Sequence, residues 1–574
     1  MNNLIQSAKD QIRAKLRDAF NQAVAAGDLS GQLPEEIQVE IPKDRSHGDF
    51  ASNLCMQCAK PLRMAPRKIA DTLLQHMKSE GADFIEECSV AGPGFLNFKL
   101  GHTYYEQALR EVMAAGEQYG RTDYGQGKKV MVEFVSANPT GPMHIGNARG
   151  GALGDTLAAV LDWAGYDVTR EFYVNDAGNQ VEKFYKSLSI RYKQLISGED
   201  SIQLPEDCYQ GADIVERAQE FRELEGDKYL SVADPFAEND PQLRAEFKDK
   251  LVTYALEKNI AGLQRDLAHY RVFYDVWFRE SSLYAKGEVE ETIQMLKDRG
   301  YTYEQEGALW LAATRFGCEK DEVLVRANGL CTYFAADIAY HRNKFARGFD
   351  TCINVWGADH HGHVARMQGA MNALGLDGSK LEVVLMQLVR LVRGGEAVRM
   401  SKRSGKAMSL SDLLEETGVD AARFIFNLQR PDSHLEFDLD LAIQQSSQNP
   451  VYYVQYAHAR ICSILRKLEE EGIPLPQWQQ ADLSLLTEKE EIDLIDHIAS
   501  LPEVIRQAAV EREPSKMTRF VIDLAGLFHK FYNACRVNTD DATLREARIV
   551  LVQSARTAIA NCLRILQVEA PEKM

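Results

Sequence analysis

His144 opens the run His144-Ile145-Gly146-Asn147, directly after a short apolar, β-branched stretch from Val130 to Val135 and a turn containing Asn138, Pro139, Gly141 and Pro142. A strand, a Pro/Gly turn and a helix start form an anion site, because unpaired N–H groups and the positive end of the helix dipole face the loop. The following residues read as a helix, with Leu153, Leu157, Val160, Leu161 and Ala164 at spacings of three and four and Gly165 as its cap. A phosphate fits this junction. His144 supplies a donor on the first turn, and Gly146 lets a flat ring lie on the backbone. Neither G-x-x-x-x-G-K-[ST] nor G-x-G-x-x-G occurs in the turn. Alone, a His at a helix start is equally a cap or a packed side chain.

A second element lies far downstream: Arg399-Met400-Ser401-Lys402-Arg403-Ser404-Gly405-Lys406, after the apolar run Leu381 to Val392 and the Gly394-Gly395 turn. Cations among small residues suit neutralisation of a polyphosphate, although a solvated charge run has the same composition. In this order, the His-Ile-Gly-Asn and Met-Ser-Lys-Arg runs resemble the paired HIGH and KMSKS signatures of class I aminoacyl-tRNA synthetases.

These residues must be positioned by a large chain. At 574 residues, three or four domains are expected, and 45% apolar with 26% charged residues is a globular composition. The first residues, MNNLIQSAKDQIRAKL, read as a polar amphipathic helix and not a signal peptide. No apolar stretch is expected to reach the roughly 18 residues of a membrane span. Ten scattered cysteines suit a reducing compartment, so the chain is expected in the cytoplasm. Cys55 and Cys58 have C-x-x-C spacing but no second pair follows, and they read as core residues of a helix. His360, His361 and His363 stand near Asp359 without a thiolate or carboxylate signature, so no protein metal site is expected. A net charge of −18 and a pI near 5.3 argue against DNA and indiscriminate nucleic-acid binding. Local basic faces remain possible on an acidic protein.

The coarse organisation is α/β followed by all-α. Residues 1–118 read as a small α/β unit: a helix over 4 to 26, a strand at Ile37 to Ile41, helices near 50 to 60 and 66 to 79, and strands around 85 to 100. Residues 119–445 alternate apolar strands with helices, a Rossmann-type doubly wound parallel sheet, interrupted by a polar insertion over about 182–325. Residues 446–574 read as a helical bundle, with helices at Val451 to Leu468, Lys489 to Arg512, Ser515 to Cys535 and Leu544 to Gln567. Phe95 and Asn97 alternate on a strand, as for stacking on a base and bonding its edge, and equally as for strand packing. Lys60, Arg63, Arg67 and Lys68 lie nearby. Tyr452, Tyr456, His458 and Arg460 open the bundle as core or as a stacking and phosphate surface.

Over almost its whole length the chain resembles arginyl-tRNA synthetases, through VEFVSANPTGPMHIGNARG (Val132 to Gly150), FYVNDAGNQ (Phe172 to Gln180), YFAADIAY (Tyr333 to Tyr340), GADHHGH (Gly357 to His363), the Met-Ser-Lys-Arg run and LFHKFYNACRV (Leu527 to Val537). The resemblance implies activation of L-arginine by ATP, with Mg2+ accompanying the nucleotide, and transfer to tRNA(Arg), first to the 2′-OH. It implies catalytic roles for His144, Asn147 and Lys402, and ATP contacts at His144, Gly146, Asn147, Gly357, Asp359, His363, Met400, Ser401 and Lys402. Arginine would be held by Glu133, Ser136, Asn138, Tyr333 and Asp337, since a guanidinium asks for planar acceptors in an acidic slot. The tRNA would meet Phe95 and Asn97 at its elbow and Tyr452, Tyr456 and Arg460 at its anticodon. A monomer that needs tRNA for activation is expected. The chain departs from the class pattern at Asn147, where a second His is usual, and at Arg399, where a Lys is usual. Competing readings are a tRNA-independent adenylating ligase of the same superfold, a class I synthetase for another amino acid such as glutamate or cysteine, and a non-catalytic RNA-binding paralogue.

Overall fold

The computed structural model describes residues 4–42, 44, 47–77, 84–237, 240–398 and 408–574. At its centre is a five-stranded sheet with the order Leu381–Met386, Thr351–Gly357, Lys129–Glu133, Asp167–Val174, Val276–Arg279. Every neighbouring pair is parallel. The chain enters at the middle strand, builds outward to one side, then returns to build the other. The switch point therefore lies between Lys129–Glu133 and Thr351–Gly357, where open parallel sheets bind ligands. The helix Ile145–Trp163 follows the middle strand and is buried almost all round, hence its lack of a polar face. Gly154 is required there, since a Cβ at this position would lie 2.2 Å from Cγ of Phe134.

The segment expected as one insertion, about 182–325, contains the sheet strand Val276–Arg279 and so is two excursions rather than one. The first is helical, with Gly178–Ser197, Ala212–Glu225 and Pro241–His269 around a core that includes Phe184, Tyr192, Phe221 and Phe247. The second ends in the antiparallel strands Thr302–Gln305, Ala308–Leu311 and Glu322–Val325. A four-residue strand, Val-Trp-Phe-Arg, is too short for period-two alternation to betray it.

In the N-terminal unit the helix Leu4–Ala26 forms as expected. Ile37 to Ile41 does not form a strand; it contributes a single bridge, Glu40 to Ala51, and the three-stranded sheet is Phe50–Ser52, Phe95–Leu100 and Ile85–Ala91. The helices are Leu54–Leu62 and Pro66–His76, and Cys55 and Cys58 are buried in the first.

The C-terminal bundle contains Pro450–Glu470, Lys489–Ala499, Leu501–Glu511, Ser515–Ala534 and Ala542–Leu566. The expected helix over Lys489 to Arg512 breaks at Ser500, where Pro502 begins a second helix. Ala542–Leu566 is long and apolar enough to cross a membrane by composition, contrary to expectation, and 72% of its most apolar window is packed inside the fold. The helix His102–Ala115 and the residues just after it, which join the N-terminal unit to the catalytic domain, rest on the bundle. Arg110 donates to the carbonyls of Trp478, Gln479 and Ala481, and the Tyr119 hydroxyl donates to Ile498 O at 2.9 Å.

Candidate active site

Between Glu133 and Ile145 the chain makes an unusual turn. Val135 and Ser136 have φ of 69° and 42°, the left-handed region, where non-glycine residues cost about 1–3 kcal/mol each. The neighbours hold them there. Tyr274 Oη donates to Phe134 O at 3.0 Å, Asn259 Nδ2 donates to Pro139 O at 2.9 Å, and the Tyr173 N–H donates to Ser136 Oγ at 3.2 Å. The turn delivers His144 to the helix N-cap, with its ring exposed. Asn147 Oδ1 accepts the His144 N–H at 3.0 Å; this leaves the Asn147 amide as a donor beside the helix start. A Cβ at Gly146 would meet nothing within 4 Å, so the face above it is open.

Two clefts share His144. One, of about 460 Å³, lies between Gly146 and the hydrophobic residues Val389, Leu391, Val398 and Met408. The other, of about 480 Å³, is lined by Ser136, Asn138 and Asn147 on one side and by Tyr209 and Asp213 of the helical excursion on the other. Met400, Ser401 and Lys402 lie outside the described residues. Downstream of them the chain is pinned beside the signature helix: Ser409 bridges to His144 and the Leu410 N–H donates to Met143 O at 2.9 Å. Arg149, fully buried one turn into that helix, donates to Gln387 O at 2.7 Å and Arg430 O at 2.9 Å, tying the helix to the chain just before the strand Val389–Arg393.

Near the switch point an acidic cluster surrounds Tyr173. Burial, together with Glu280, Asp337 and Glu133, pushes the Tyr173 phenol well above its ordinary range. Glu133 is 6% exposed and internally satisfied: Lys344 Nζ donates to Oε2 and Ser136 Oγ to Oε1. Lys344 is fully buried and also donates to Asn354 Oδ1 at 2.8 Å, while the Asn354 amide lies 2.8 Å from His341 Nε2. Burial and the neighbouring Lys344 push His341 down to about 3, so it is neutral. Its Nδ1–H then donates to Asp337 O at 2.8 Å and Nε2 accepts from Asn354. Asp337 is open on its carboxylate side. Its Oδ2 is 3.0 Å from His363 Nε2, and Tyr333, one helical turn before it, is 43% exposed.

Glu280, directly after Val276–Arg279, was not singled out from the sequence and is the most perturbed carboxyl in the cluster. It is 2% exposed, and its Oε1 makes no hydrogen bond of good geometry although Tyr173 and Tyr284 stand beside it. Burial, then Asp337 and Asp176, raise it to about 7. Lys344, Asn354 and His341 were also missed; they lie on a helix and strand whose sequence reads as ordinary core.

The remaining residues fall in two groups. Asp359 is exposed, and its Oδ1 occupies the space where a Cβ of Gly357 would sit, at 2.4 Å, so that glycine makes room for the carboxylate itself. His363 is drawn toward Asp337 and Trp356. Among the described residues, no group of three or more His, Cys, Asp or Glu is placed to hold a metal ion. In the N-terminal sheet Phe95 presents its ring, 38% exposed, whereas Asn97 is 7% exposed because it sits in the middle strand between Ala51 and Ser89. The two therefore do not share an open face. On the bundle, Tyr452 and Tyr456 stack at 6.4 Å with an 8° interplanar angle, and the Arg460 guanidinium lies 4.3 Å over Tyr532.

The parallel sheet, the His-Ile-Gly-Asn helix start and the crevice at the switch point define a class I synthetase catalytic domain, and residues 108–462 match the family model for tRNA synthetases class I (R), catalytic domain. Residues 7–100 match the arginyl tRNA synthetase N terminal domain, and residues 454–574 the DALR anticodon binding domain. An arginine–tRNA ligase of Caldanaerobacter subterraneus subsp. tengcongensis is 54% identical over the full length of both chains, and one of Ruminiclostridium cellulolyticum is 52% identical, also over both full lengths. The solved Thermus thermophilus arginyl-tRNA synthetase shares the fold with a TM-score of 0.71 at 24% identity, over 98% of this chain and 100% of that one. The chain belongs to the arginyl-tRNA synthetase family.

Proposed function

We propose that this protein joins L-arginine to the 3′ end of tRNA(Arg) in two steps at the switch-point crevice. In the first, the arginine carboxylate attacks the α-phosphorus of ATP, supplied with Mg2+, and pyrophosphate leaves. Positioning and charge neutralisation dominate such a step. His144 and the Asn147 amide donate to phosphate oxygens at the helix start; adenine lies over Gly146 against Val389 and Leu391; Asp359 accepts from the ribose hydroxyls. Lys402, with Met400 and Ser401, meets the pyrophosphate side. In the second step a ribose hydroxyl of the tRNA attacks the activated carbonyl and AMP leaves.

The observation that carries the arginine reading is the carboxylate cluster around Tyr173. Asp337 and Glu280, with the Tyr333 phenol, offer a guanidinium planar acceptors in a desolvated slot. Glu133 contributes from behind, holding Ser136 in place while Lys344 balances its charge; Ser136 and Asn138 face the α-ammonium and carboxylate. A neutral side chain would leave these acids unpaired, which discriminates strongly without an editing site. The tRNA is gripped by the N-terminal unit (1–118) through Phe95 and by the bundle (446–574) through Tyr452, Tyr456 and Arg460, and the catalytic domain (119–445) receives its end. The protein acts as a cytoplasmic monomer whose activation step needs tRNA. The test is exchange of labelled pyrophosphate into ATP, with and without tRNA(Arg). Exchange with arginine, and not with lysine, glutamate or cysteine, is expected when tRNA is added. Exchange indifferent to tRNA removes the gating, and no exchange with arginine removes the reading.

A further inference from the structure

Glu280 stands at a turn. It is the first residue after the strand Val276–Arg279, and Ser281 begins the short helix Ser281–Ala285. A side chain at such a turn has no ladder of strand pairs to fix it, so a neighbouring segment must. That segment is Val174 to Ala177, at the carboxyl end of the adjacent strand Asp167–Val174. Three contacts converge from it. The Glu280 N–H donates to Val174 O at 3.0 Å, just beyond the last strand pair, Val174 and Arg279. Asp176 Oδ1 accepts the Ser281 N–H at 2.8 Å and its Oδ2 accepts the Ser281 hydroxyl at 2.9 Å. The Asn175 side chain faces two acceptors, Ala177 O and Glu280 Oε2, so its amide nitrogen is the atom directed at them, at 3.2 and 3.0 Å. Glu280 Oε2 is thereby engaged. Oε1, buried without a hydrogen bond of good geometry, is left as the open acceptor.

The residue type at 176 needs a reason of its own. The Asp176 side chain is 4% exposed, and a second buried acid beside Glu280 disfavours the fold. Asparagine would serve the same hydrogen bonds, with Oδ1 accepting the Ser281 N–H and the amide donating to the rotatable hydroxyl. What the acid adds is charge. Arg279 Nη1, its nearest cation at 3.8 Å, is itself shared with Glu257 at 2.6 Å. The field of Asp176 therefore reaches Glu280, where it acts with that of Asp337 and behind burial to disfavour the ionised carboxyl. The other titratable groups facing Glu280 are Tyr173 and Tyr284. Burial pushes both phenols well above their ordinary range, so neither adds a charge near neutral pH.

We propose that Asn175 and Asp176 are positioning residues for arginine recognition: Asn175 holds one Glu280 oxygen so that the other is presented to the guanidinium, and Asp176 fixes the turn while adding the negative charge that makes a cation the favoured ligand. The inference rests on the arginine reading of the cluster around Tyr173, and the two residues act through Glu280 without touching the substrate. A guanidinium relieves the crowded negative charge and a neutral side chain leaves it in place, so the pair sharpens discrimination against neutral amino acids. Their effects on the Glu280 proton have opposite sign. The Asn175 amide donates to the ionised carboxylate and favours it, whereas the Asp176 charge disfavours it.

The test measures the arginine Kd of the full-length protein across pH, by calorimetry, for the wild type and for Asn175→Ala, Asn175→Asp, Asp176→Asn and Glu280→Gln. The wild type must first bind arginine with a pH dependence that Glu280→Gln removes; if it does not, the arginine reading of Glu280 fails, whatever the other variants do. Given that dependence, Asp176→Asn keeps the bonds to Ser281 and removes only the charge. Its midpoint should fall by about half to one pH unit, with the Kd at high pH within about threefold of the wild type's. Asn175→Ala should raise the midpoint by a similar amount and weaken arginine about tenfold at pH 7. Asn175→Asp, which turns an acceptor toward Glu280 Oε2, should move the midpoint further the same way. KM for ATP in aminoacylation should stay within about twofold throughout. Opposite shifts of one midpoint are what a loosened cluster cannot produce. Weaker binding in the Asn175 and Asp176 variants with an unmoved midpoint would leave the two residues a structural role only, and midpoints moving in the same direction would remove their opposed action. Either result overturns the proposal, as does a wild-type profile in all three.

Discussion

Replacing Glu280 by Gln tests the arginine pocket at its most perturbed group. Burial, with Asp337 and Asp176 nearby, raises the Glu280 carboxyl to about 7. The free protein is therefore half protonated at neutral pH, while a guanidinium stays charged throughout. Arginine binding needs the carboxylate, so affinity is full above pH 7 and is lost as pH falls through it. With that value the arginine Kd should weaken about tenfold from pH 8 to pH 6, until the carboxyl's own value in the complex is reached. Glu280→Gln removes a charge-assisted hydrogen bond of about 1.5–3 kcal/mol, so the Kd should rise by roughly 10- to 150-fold at pH 8 and lose its pH dependence between 6 and 8. Stability should move the other way. A carboxyl raised from 4.5 to about 7 in the fold disfavours the native state at high pH, and that penalty fades as pH falls from 7 toward 4.5. The Gln variant should thus be more stable than the wild type at pH 8, by up to the order of 3 kcal/mol. Calorimetric titration of arginine between pH 6 and 8.5, beside denaturant unfolding of both proteins, measures each part. Parallel pH profiles for wild type and variant would refute the assignment.

Three substitutions probe the framework beneath the site. Lys344→Met leaves Glu133 buried without its cation and should cost about 3–5 kcal/mol in denaturant unfolding, partly recovered in the double variant with Glu133→Gln. Arg423→Met should cost a similar amount, because this fully buried guanidinium pairs with Asp155 at 2.5 Å and also holds the carbonyls of Leu566, Tyr270 and Arg271, joining the signature helix to the last helix of the bundle. Gly154→Ala should destabilise by about 1–3 kcal/mol despite the better helix propensity of Ala, as the new methyl overlaps the Phe134 ring; a melting point equal to the wild type's would contradict the packing.

The strand and helix that carry His144 were legible because two strong signals coincide there: an apolar β-branched run, and a turn of Pro and Gly ending on a helix start. The parallel sheet and the bundle were legible for the same reason, since their periodicities are long. Val276–Arg279 was not, because four residues, all half-buried, show no alternation and sit between polar helices. Ile37 to Ile41 alternated like a strand, yet the sheet edge went to Phe50–Ser52, which pairs with Phe98 to Leu96. Strand partners are a tertiary choice that local propensity does not make. In the site, Asp337 and Tyr333 stood out through the resemblance of the run Tyr333 to Tyr340 to arginyl-tRNA synthetases, and their i, i+4 spacing puts both on one helix face. Glu280 and Lys344 acquire their chemistry only from burial beside other charges, which no spacing records. Asn97 shows the converse: its alternation with Phe95 implied a shared face, and the middle of the sheet took it inside.

The central claim is tested most directly by incubating the purified protein with ATP, Mg2+, labelled amino acid and a tRNA(Arg) transcript, and counting acid-precipitable label that base treatment releases. The account predicts ester-linked label with arginine at least a hundredfold above that with lysine, glutamate or cysteine, and none without ATP. Label from another amino acid at comparable levels, or none from arginine while pyrophosphate exchange proceeds, would contradict it.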